Sequence, residues 1–179
     1  MVVEELNRGL APEIGFEVKL WRWETDASPG LHLRGPQGLI DDEMELEHAD
    51  VVIGVFWNRL GTPLPNAESG TAHELRRAWN LWRTSGRPQV LVYFCERRVR
   101  LKTTSDAAQL HALFEFREAM PAEQMRWQYE TMTGFEREVR QHLTRHLLRL
   151  AKPVIEIASE ARALENVLQP VWIDPESRG

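Results

Sequence analysis

Two stretches of the chain are apolar almost without interruption. They are Val51–Trp57 and Gln89–Cys95, and both are rich in β-branched or aromatic residues. Runs of this length, bounded by polar or turn-forming residues, predict interior strands that are covered on both faces. Phe16–Trp23 instead alternates apolar and charged residues, which predicts a strand with one polar face. Trp127–Tyr129 predicts a short edge strand.

Between these strands the apolar residues recur every three or four positions, which predicts amphipathic helices. The predicted helices cover residues 2–11, 39–49, 71–85, 106–120, 134–150 and 154–168. Gly86 is expected to end the helix of 71–85, and Pro153 to separate the last two helices. Helices that alternate with strands imply crossover connections. The predicted fold class is therefore α/β, a flavodoxin-like, doubly wound parallel sheet with helices on both faces.

Length and composition exclude several classes of protein. The 179 residues suit one domain, predicted at 1–152, followed by a C-terminal helix and tail at 153–179. The net charge of −5 argues against a nucleic-acid partner, which would require a basic face. Cys95 is the only cysteine, which excludes a disulfide framework and predicts a cytoplasmic location. No apolar run reaches the roughly 18 residues of a membrane span, so no membrane partner is expected.

The residues after the strand Val51–Trp57 carry the candidate chemistry. A loop over residues 58–69 leads to the predicted helix at Thr71, and open α/β sheets bind ligands beyond the carboxyl ends of their strands. Glu74 lies near the start of this helix, and two interpretations of it are open. The spacing Thr71-x-x-Glu74 is that of a capping box, in which each side chain satisfies a backbone N–H. The alternative is a carboxylate that acts on a bound substrate.

A series of short motifs accompanies this carboxylate along the chain. They are EELN at 4–7, Asp26 with Pro29-Gly30, Ala49-Asp50 before VVIGVFW, Arg59-Leu60-Gly61-Thr62-Pro63, Ser69-Gly70-Thr71-x-x-Glu74-Leu75, and Arg87-Pro88 before QVLVYF. In this order and spacing they resemble bacterial TIR-like domains, in the branch that is also similar to nucleoside deoxyribosyltransferases. The similarity spans roughly residues 2–150. It implies a TIR-like sheet whose first strand is missing, because Met1 falls after the segment that forms this strand in the family.

The resemblance implies a function and a set of site residues. Many bacterial TIR domains hydrolyse NAD, release nicotinamide and act as antiphage or immune effectors on self-association. The family's catalytic glutamate corresponds to Glu74. Trp57 is a candidate for stacking on an aromatic ring of the substrate, or else a tryptophan at the edge of the core. Arg59 is a candidate for the pyrophosphate, or else a surface ion-pair residue. Ser69 and Thr71 are candidates for hydroxyl or N–H contacts with the substrate, or else helix caps.

Two alternatives to the NAD-cleaving enzyme remain open. Other TIR domains are assembly modules without catalysis, and a deoxyribosyltransferase-like protein would bind a nucleoside or cyclic nucleotide with the same glutamate. The expected partners are NAD or a related nucleotide, further copies of the chain, and a sensor domain or partner protein. NAD is expected as a substrate, with no bound cofactor and no metal site. The basic segment 96–104 is either a solvated loop or a phosphate contact.

Overall fold

The computed structural model describes residues 2–26, 28, 31–33, 35, 38, 44, 46–61 and 69–167 of the chain. Its helices are α1 (Val2–Arg8), α2 (Leu10–Glu13), α3 (Trp23–Asp26), α4 (Gly70–Ser85), α5 (Thr104–Glu118) and α6 (Met132–Val167), and a 3-10 turn spans Leu46–His48. Its strands are β1 (Val51–Phe56), β2 (Gln89–Cys95) and β3 (Arg126–Tyr129). In these ranges no helix has both the length and the apolar character needed to cross a membrane.

The chain forms two compact units. One comprises Met1–Leu20 with Glu136–Gly179, and the other comprises Trp21–Phe135. The second unit contains all three described strands together with α4 and α5. It is the unit that carries the candidate site residues.

The three strands form one parallel sheet in the order β1-β2-β3. Val51 pairs with Gln89 at the start of β1, and Tyr93 of β2 pairs with Trp127 of β3. Successive parallel strands require crossover connections, and α4 and α5 occupy these connections. The fold class predicted from the sequence, a parallel α/β sheet with flanking helices, is confirmed, as is β2 as an interior strand. Within the described residues β3 lies at an edge of the sheet, as predicted.

The prediction that β1 is an interior strand is wrong for the described part of the chain. Within that part β1 pairs only with β2. The side chains of Ile53 and Val55, on the face opposite the buried Phe56, are partly exposed. A continuous apolar sequence indicates that a strand is apolar on both faces. It does not determine whether a neighbouring strand is present.

The core of this unit lies between the sheet and the helices of one face. Gly54 leaves room for α4, since a Cβ atom built there would lie 2.8 Å from Leu75 Cδ1. Phe116 of α5 packs against both Phe56 and Trp79, with ring centroids 5.3 and 5.8 Å apart. On the opposite face Phe135, in the first turn of α6, makes an edge contact with Tyr93 at 5.4 Å. Within this unit, helical side chains therefore contact both faces of the sheet.

Residues 16–22 do not form the predicted strand, and Trp23 begins the short helix α3. The side chain of Asn7 explains the difference. Its amide donates to the carbonyl of Val18 and accepts from the Val18 N–H, both at 2.8 Å. These are the hydrogen bonds that a neighbouring strand would otherwise make.

The predicted helix break at Pro153 is also wrong. α6 runs without interruption from Met132 to Val167 and contains Pro153 in its interior. Proline removes one helical N–H donor and favours a kink, which bends a helix without necessarily ending it. The predicted domain boundary at 152/153 falls inside this helix and stays a prediction.

Other predicted segments either agree with the structure or lie outside the described residues. Gly86 ends α4 in the left-handed conformation, with φ of 78°, as expected. Of the predicted helix 39–49, Leu46–His48 forms a 3-10 turn, and most of the remainder lies outside the described residues. So do the motif residues Pro29-Gly30 and Thr62-Pro63, and the tail from 168 to 179.

Two histidines of α6 make stability depend on pH. Burial lowers the pKa of His142 and of His146 from the ordinary value of 6.5, and Arg149 lowers the pKa of His146 further. Below pH 6.5 the unfolded chain therefore binds more protons than the folded chain, so stability should fall as pH drops from 6.5 towards the folded-state pKa values. Well above pH 6.5, where the histidines are neutral in both states, these groups should contribute no pH dependence.

We expect a lower melting temperature at pH 5.5 than at pH 7.5. The double variant His142→Gln/His146→Gln is the control and should lose less over the same interval. Equal melting temperatures of the wild type at the two pH values would contradict the expectation.

Candidate active site

The candidate residues gather beyond the carboxyl ends of β1 and β2. Residues 57–61 follow β1, Ser69 precedes α4, and residues 96–103 connect β2 to α5. In a parallel sheet these connections lie at the same edge, which is where α/β folds bind ligands. All five site residues predicted from the sequence lie in the segment that connects β1 to β2. They are Trp57, Arg59, Ser69, Thr71 and Glu74.

Ser69 links the segment after β1 to the start of α4. It is completely buried, its hydroxyl donates to the carbonyl of Leu60 at 2.9 Å, and the hydroxyl oxygen accepts from the N–H of Ala72 at 3.1 Å. Gly61 has φ of 124°, and a Cβ atom there would approach Ser69 Oγ to 3.2 Å, so a side chain is excluded at this position. Ser69 is therefore the N-cap of α4, and its hydroxyl also connects the start of this helix to Leu60.

The capping-box interpretation of Thr71 and Glu74 is wrong. The N-cap of α4 is Ser69, and the residue three positions beyond it is Ala72, which carries no carboxylate. Thr71 lies inside the helix, and Glu74 lies beyond its first turn. Glu74 is half-buried and is placed four residues before the fully buried Ala78, on the same side of the helix.

Trp57 lies at the end of β1 and contacts the loop after β2. Its indole Nε1 donates to the carbonyl of Arg97 at 3.3 Å. The Arg97 guanidinium lies over the indole ring, 5.5 Å from the ring centroid, in a cation–π arrangement. The ring is nevertheless exposed. It is thus a fixed aromatic surface at the sheet edge rather than a core residue.

Arg59 faces the start of α5. Its guanidinium lies 3.6 Å from Asp106 Oδ1. Asp106 and Thr103 form a capping box, in which Asp106 N donates to Thr103 Oγ1 and Asp106 Oδ2 accepts from Thr103 N. The N–H of Lys102 and the Thr103 side chain lower the pKa of Asp106, and Arg59 lowers it further. Asp106 is therefore ionised at neutral pH and forms an exposed ion pair with Arg59.

The electrostatic character of this edge is basic, although the chain as a whole is acidic. Arg97, Arg98, Arg100 and Lys102 are exposed in the loop after β2, and Arg59 adds a fifth positive charge on the neighbouring connection. Basic side chains and helix N-termini both favour phosphate oxygens. Across the described residues no group of three or more histidine, cysteine or acidic side chains is arranged to hold a metal ion.

Several supporting residues escaped the sequence interpretation. Gln109 of α5 accepts a hydrogen bond from Gly61 N at 3.4 Å, and nothing in its sequence neighbourhood indicates this contact. The Thr103-x-x-Asp106 spacing is a recognisable capping signal. It identifies the start of α5, which is two residues earlier than the apolar periodicity alone predicts.

Replacement of Ser69 by alanine is expected to reduce the free energy of unfolding by about 1–2 kcal/mol. The variant loses the N-cap and leaves the buried Leu60 carbonyl without its donor. Chemical denaturation monitored by circular dichroism measures the change. Thr71→Ala is the matched control, because Thr71 lies inside the helix, and it should change stability by less than about 0.5 kcal/mol. A larger loss for Thr71→Ala than for Ser69→Ala would contradict the assignment of the cap.

Comparisons of the chain with protein-family models, with curated proteins and with solved structures gave no match.

Proposed function

We propose that this chain is an NAD-cleaving hydrolase that releases nicotinamide, with Glu74 as its catalytic carboxylate. The observation that carries the proposal is the place of Glu74. It lies half-buried near the start of α4, in the connection that leaves the carboxyl end of β1. Because Ser69 supplies the N-cap, capping does not account for Glu74.

One carboxylate suits the chemistry of this reaction. When the bond between ribose C1′ and the nicotinamide nitrogen breaks, its electron pair leaves with nicotinamide, which departs as a neutral base from a cationic pyridinium. Positive charge develops on the sugar, as in glycoside hydrolysis. A carboxylate in a partly dry cleft stabilises this charge. Water then adds to C1′ and loses a proton, which gives ADP-ribose.

The neighbouring side chains support a dinucleotide substrate. The exposed ring of Trp57 suits stacking on nicotinamide or adenine. Arg59 and the basic loop after β2 suit the pyrophosphate. The exposed contact of Arg59 with Asp106 is 3.6 Å long, and such solvent-screened surface pairs contribute little to stability. A phosphate can therefore replace Asp106 as the partner of Arg59 at small cost.

The resemblance to TIR-like domains supports a cytoplasmic effector in antiviral defence that becomes active on self-association. The test is to incubate the full chain with NAD, dilute and at high concentration, and to measure nicotinamide by chromatography. We expect release that rises more steeply than protein concentration. A thermal-shift series with NAD, nucleosides and cyclic nucleotides separates this function from a deoxyribosyltransferase-like one.

The two alternatives correspond to distinct outcomes of this test. Stabilisation by a nucleoside or cyclic nucleotide without NAD cleavage would replace the proposal with nucleotide binding. Absence of both cleavage and nucleotide binding at every concentration would leave the non-catalytic assembly module. The partly exposed apolar Ile53 and Val55 on β1 favour the assembly module as the second candidate.

A further inference from the structure

The loop after β2 concentrates positive charge that the described part of the protein does not balance. We call residues 97–102 the basic loop. Its cationic side chains are all exposed: Arg97, Arg98, Arg100 and Lys102. In the described part of the chain none of them forms an ion pair with an acidic side chain, although the net charge of the whole chain is −5. Positive charges that lie this close repel one another, and an anionic ligand relieves the repulsion.

The first end of the basic loop is fixed by Glu96. The Glu96 N–H donates to the carbonyl of Tyr129 at 2.8 Å. Its carboxylate oxygen Oε1 accepts from Arg117 Nη1 at 2.9 Å and from Gln128 Nε2 at 2.7 Å. Glu96 thereby joins the ends of β2 and β3 to the last turn of α5, so the basic loop starts from a fixed point.

The second end of the basic loop is fixed by Asp106, in the first turn of α5. The Lys102 N–H donates to Asp106 Oδ2 at 3.1 Å. Between the two ends Val99 is half-buried, whereas Arg98 and Arg100 on either side of it are exposed. A loop that is fixed at both ends and packed at its middle loses little conformational entropy when a ligand binds, which favours affinity.

Contacts at both ends connect the basic loop to the segment that carries Glu74. The Arg97 guanidinium lies 5.5 Å from the centroid of the Trp57 ring. At the other end Asp106 lies 3.6 Å from the guanidinium of Arg59. Trp57 and Arg59 both belong to the connection between β1 and α4. The basic loop therefore borders the candidate site on the side of β2.

The positive charge at this border exceeds what the pyrophosphate of NAD requires. Each of its phosphates carries a single negative charge, and Arg59 and Arg97 suffice to match them. NADP has one further phosphate, a monoester on the 2′ oxygen of the adenosine ribose, with a charge of about −1.5 to −2 near neutral pH. Arginine binds phosphate oxygens through parallel N–H donors, and in dinucleotide-binding folds an arginine accommodates this 2′-phosphate.

We infer that the site binds the 2′-phosphorylated dinucleotide NADP in preference to NAD, with Arg98 and Arg100 as the contacts to the 2′-phosphate. The choice of a nicotinamide dinucleotide rests on the proposed function. The bond that breaks is the same in both dinucleotides, because the 2′-phosphate lies on the adenosine ribose and not on the ribose that carries nicotinamide.

A pair of ligands that cannot be cleaved tests the preference apart from the chemistry. ADP-ribose and its 2′-phosphate both lack nicotinamide and differ only in the phosphate of interest. Isothermal titration calorimetry with the full chain should give a dissociation constant about tenfold or more lower for the 2′-phosphate form. The difference should shrink as salt rises from about 0.05 M to about 0.5 M, since salt screens exposed charges.

Two double variants test the residues. Arg98→Gln/Arg100→Gln should bring the affinities for the two ligands to within about threefold of each other and should change the affinity for ADP-ribose by less than about threefold. Arg145→Gln/Arg149→Gln is the matched control, because it removes the same charge from exposed arginines of the other unit, and it should retain the preference. All these side chains are exposed, so both variants should remain folded, as circular dichroism will report.

Nicotinamide release from NADP and from NAD, measured on the same protein, separates the two proposals. Tighter binding of the 2′-phosphate form without release from either dinucleotide would keep the preference and reject the proposed function. Equal binding of the two ligands, or binding of neither, would overturn the preference whether or not NAD is cleaved. A preference that survives Arg98→Gln/Arg100→Gln, or that the control variant loses equally, would also overturn it. So would ATP that binds as tightly as the 2′-phosphate form, because the loop would then recognise any polyphosphate.

Discussion

Glu74→Gln is expected to lower the rate of nicotinamide release by about two orders of magnitude or more, the scale of losing one electrostatic contact with a charged transition state. Glutamine keeps the shape of the side chain and removes only its charge. The helix start does not depend on this charge, because Ser69 is the N-cap. The melting temperature should therefore change little while turnover falls.

The measurement is a time course of nicotinamide release per folded molecule, with folded protein quantified by circular dichroism. Glu115→Gln is the matched control. Glu115 is an exposed carboxylate of α5 that lies one turn from His111, at 3.3 Å from its ring, and its neutralisation should leave turnover within about twofold. If Glu74→Gln melts early and yet cleaves NAD at the wild-type rate, the role of Glu74 is structural and the assignment of the catalytic carboxylate fails.

Phe116→Ala is expected to reduce the free energy of unfolding by about 3–5 kcal/mol. Phe116 is 2% exposed and its ring packs on both Phe56 and Trp79. The Arg76 guanidinium also lies 5.7 Å from its centroid. Truncation removes these contacts together and leaves a cavity in the core. A loss of this size is a large share of the roughly 5–15 kcal/mol that stabilises a typical domain.

Urea denaturation measures this loss, and Phe114→Ala is its control. Phe114 belongs to the same helix, but it is 50% exposed, so its truncation should cost less than about 1 kcal/mol. Similar losses for the two variants would show that helix propensity, rather than the aromatic cluster, dominates the contribution of α5.

The sequence predicts correctly those elements whose structure depends only on their own residues and not on distant contacts. β2 and α4 combine strong local periodicity with clear ends, such as Gly86, and both agree with the structure. In the segment 16–22, where a strand is expected, both backbone hydrogen bonds of Val18 are instead made by Asn7, a side chain distant in sequence. Such a contact has no signal in the alternating pattern. The break expected at Pro153 fails because a proline removes only one helical hydrogen bond, and the helix continues past it.

The same distinction applies to the candidate site. The sequence indicates correctly that Trp57, Arg59 and Glu74 belong to connections at one sheet edge, since this follows from the order of strands and helices. It does not distinguish Ser69 from Thr71 as the cap, because both residue types serve this role. The choice depends on the bond from Ser69 to the Leu60 carbonyl, which is set only when the strand and the helix pack together.

The hydrogen bond from Ser69 to Leu60 also determines which changes in loop length the protein can accept. Leu60 and Ser69 are tied to each other at 2.9 Å, so the segment between them begins and ends at fixed points. For a closed segment of this kind, each doubling of length costs only about 0.6 kcal/mol in chain entropy. Residues inserted between Gly61 and Ser69 leave the register of α4 and the position of Glu74 in place. Evolution and engineering alike can therefore change the length of this connection independently of the helix that carries the carboxylate.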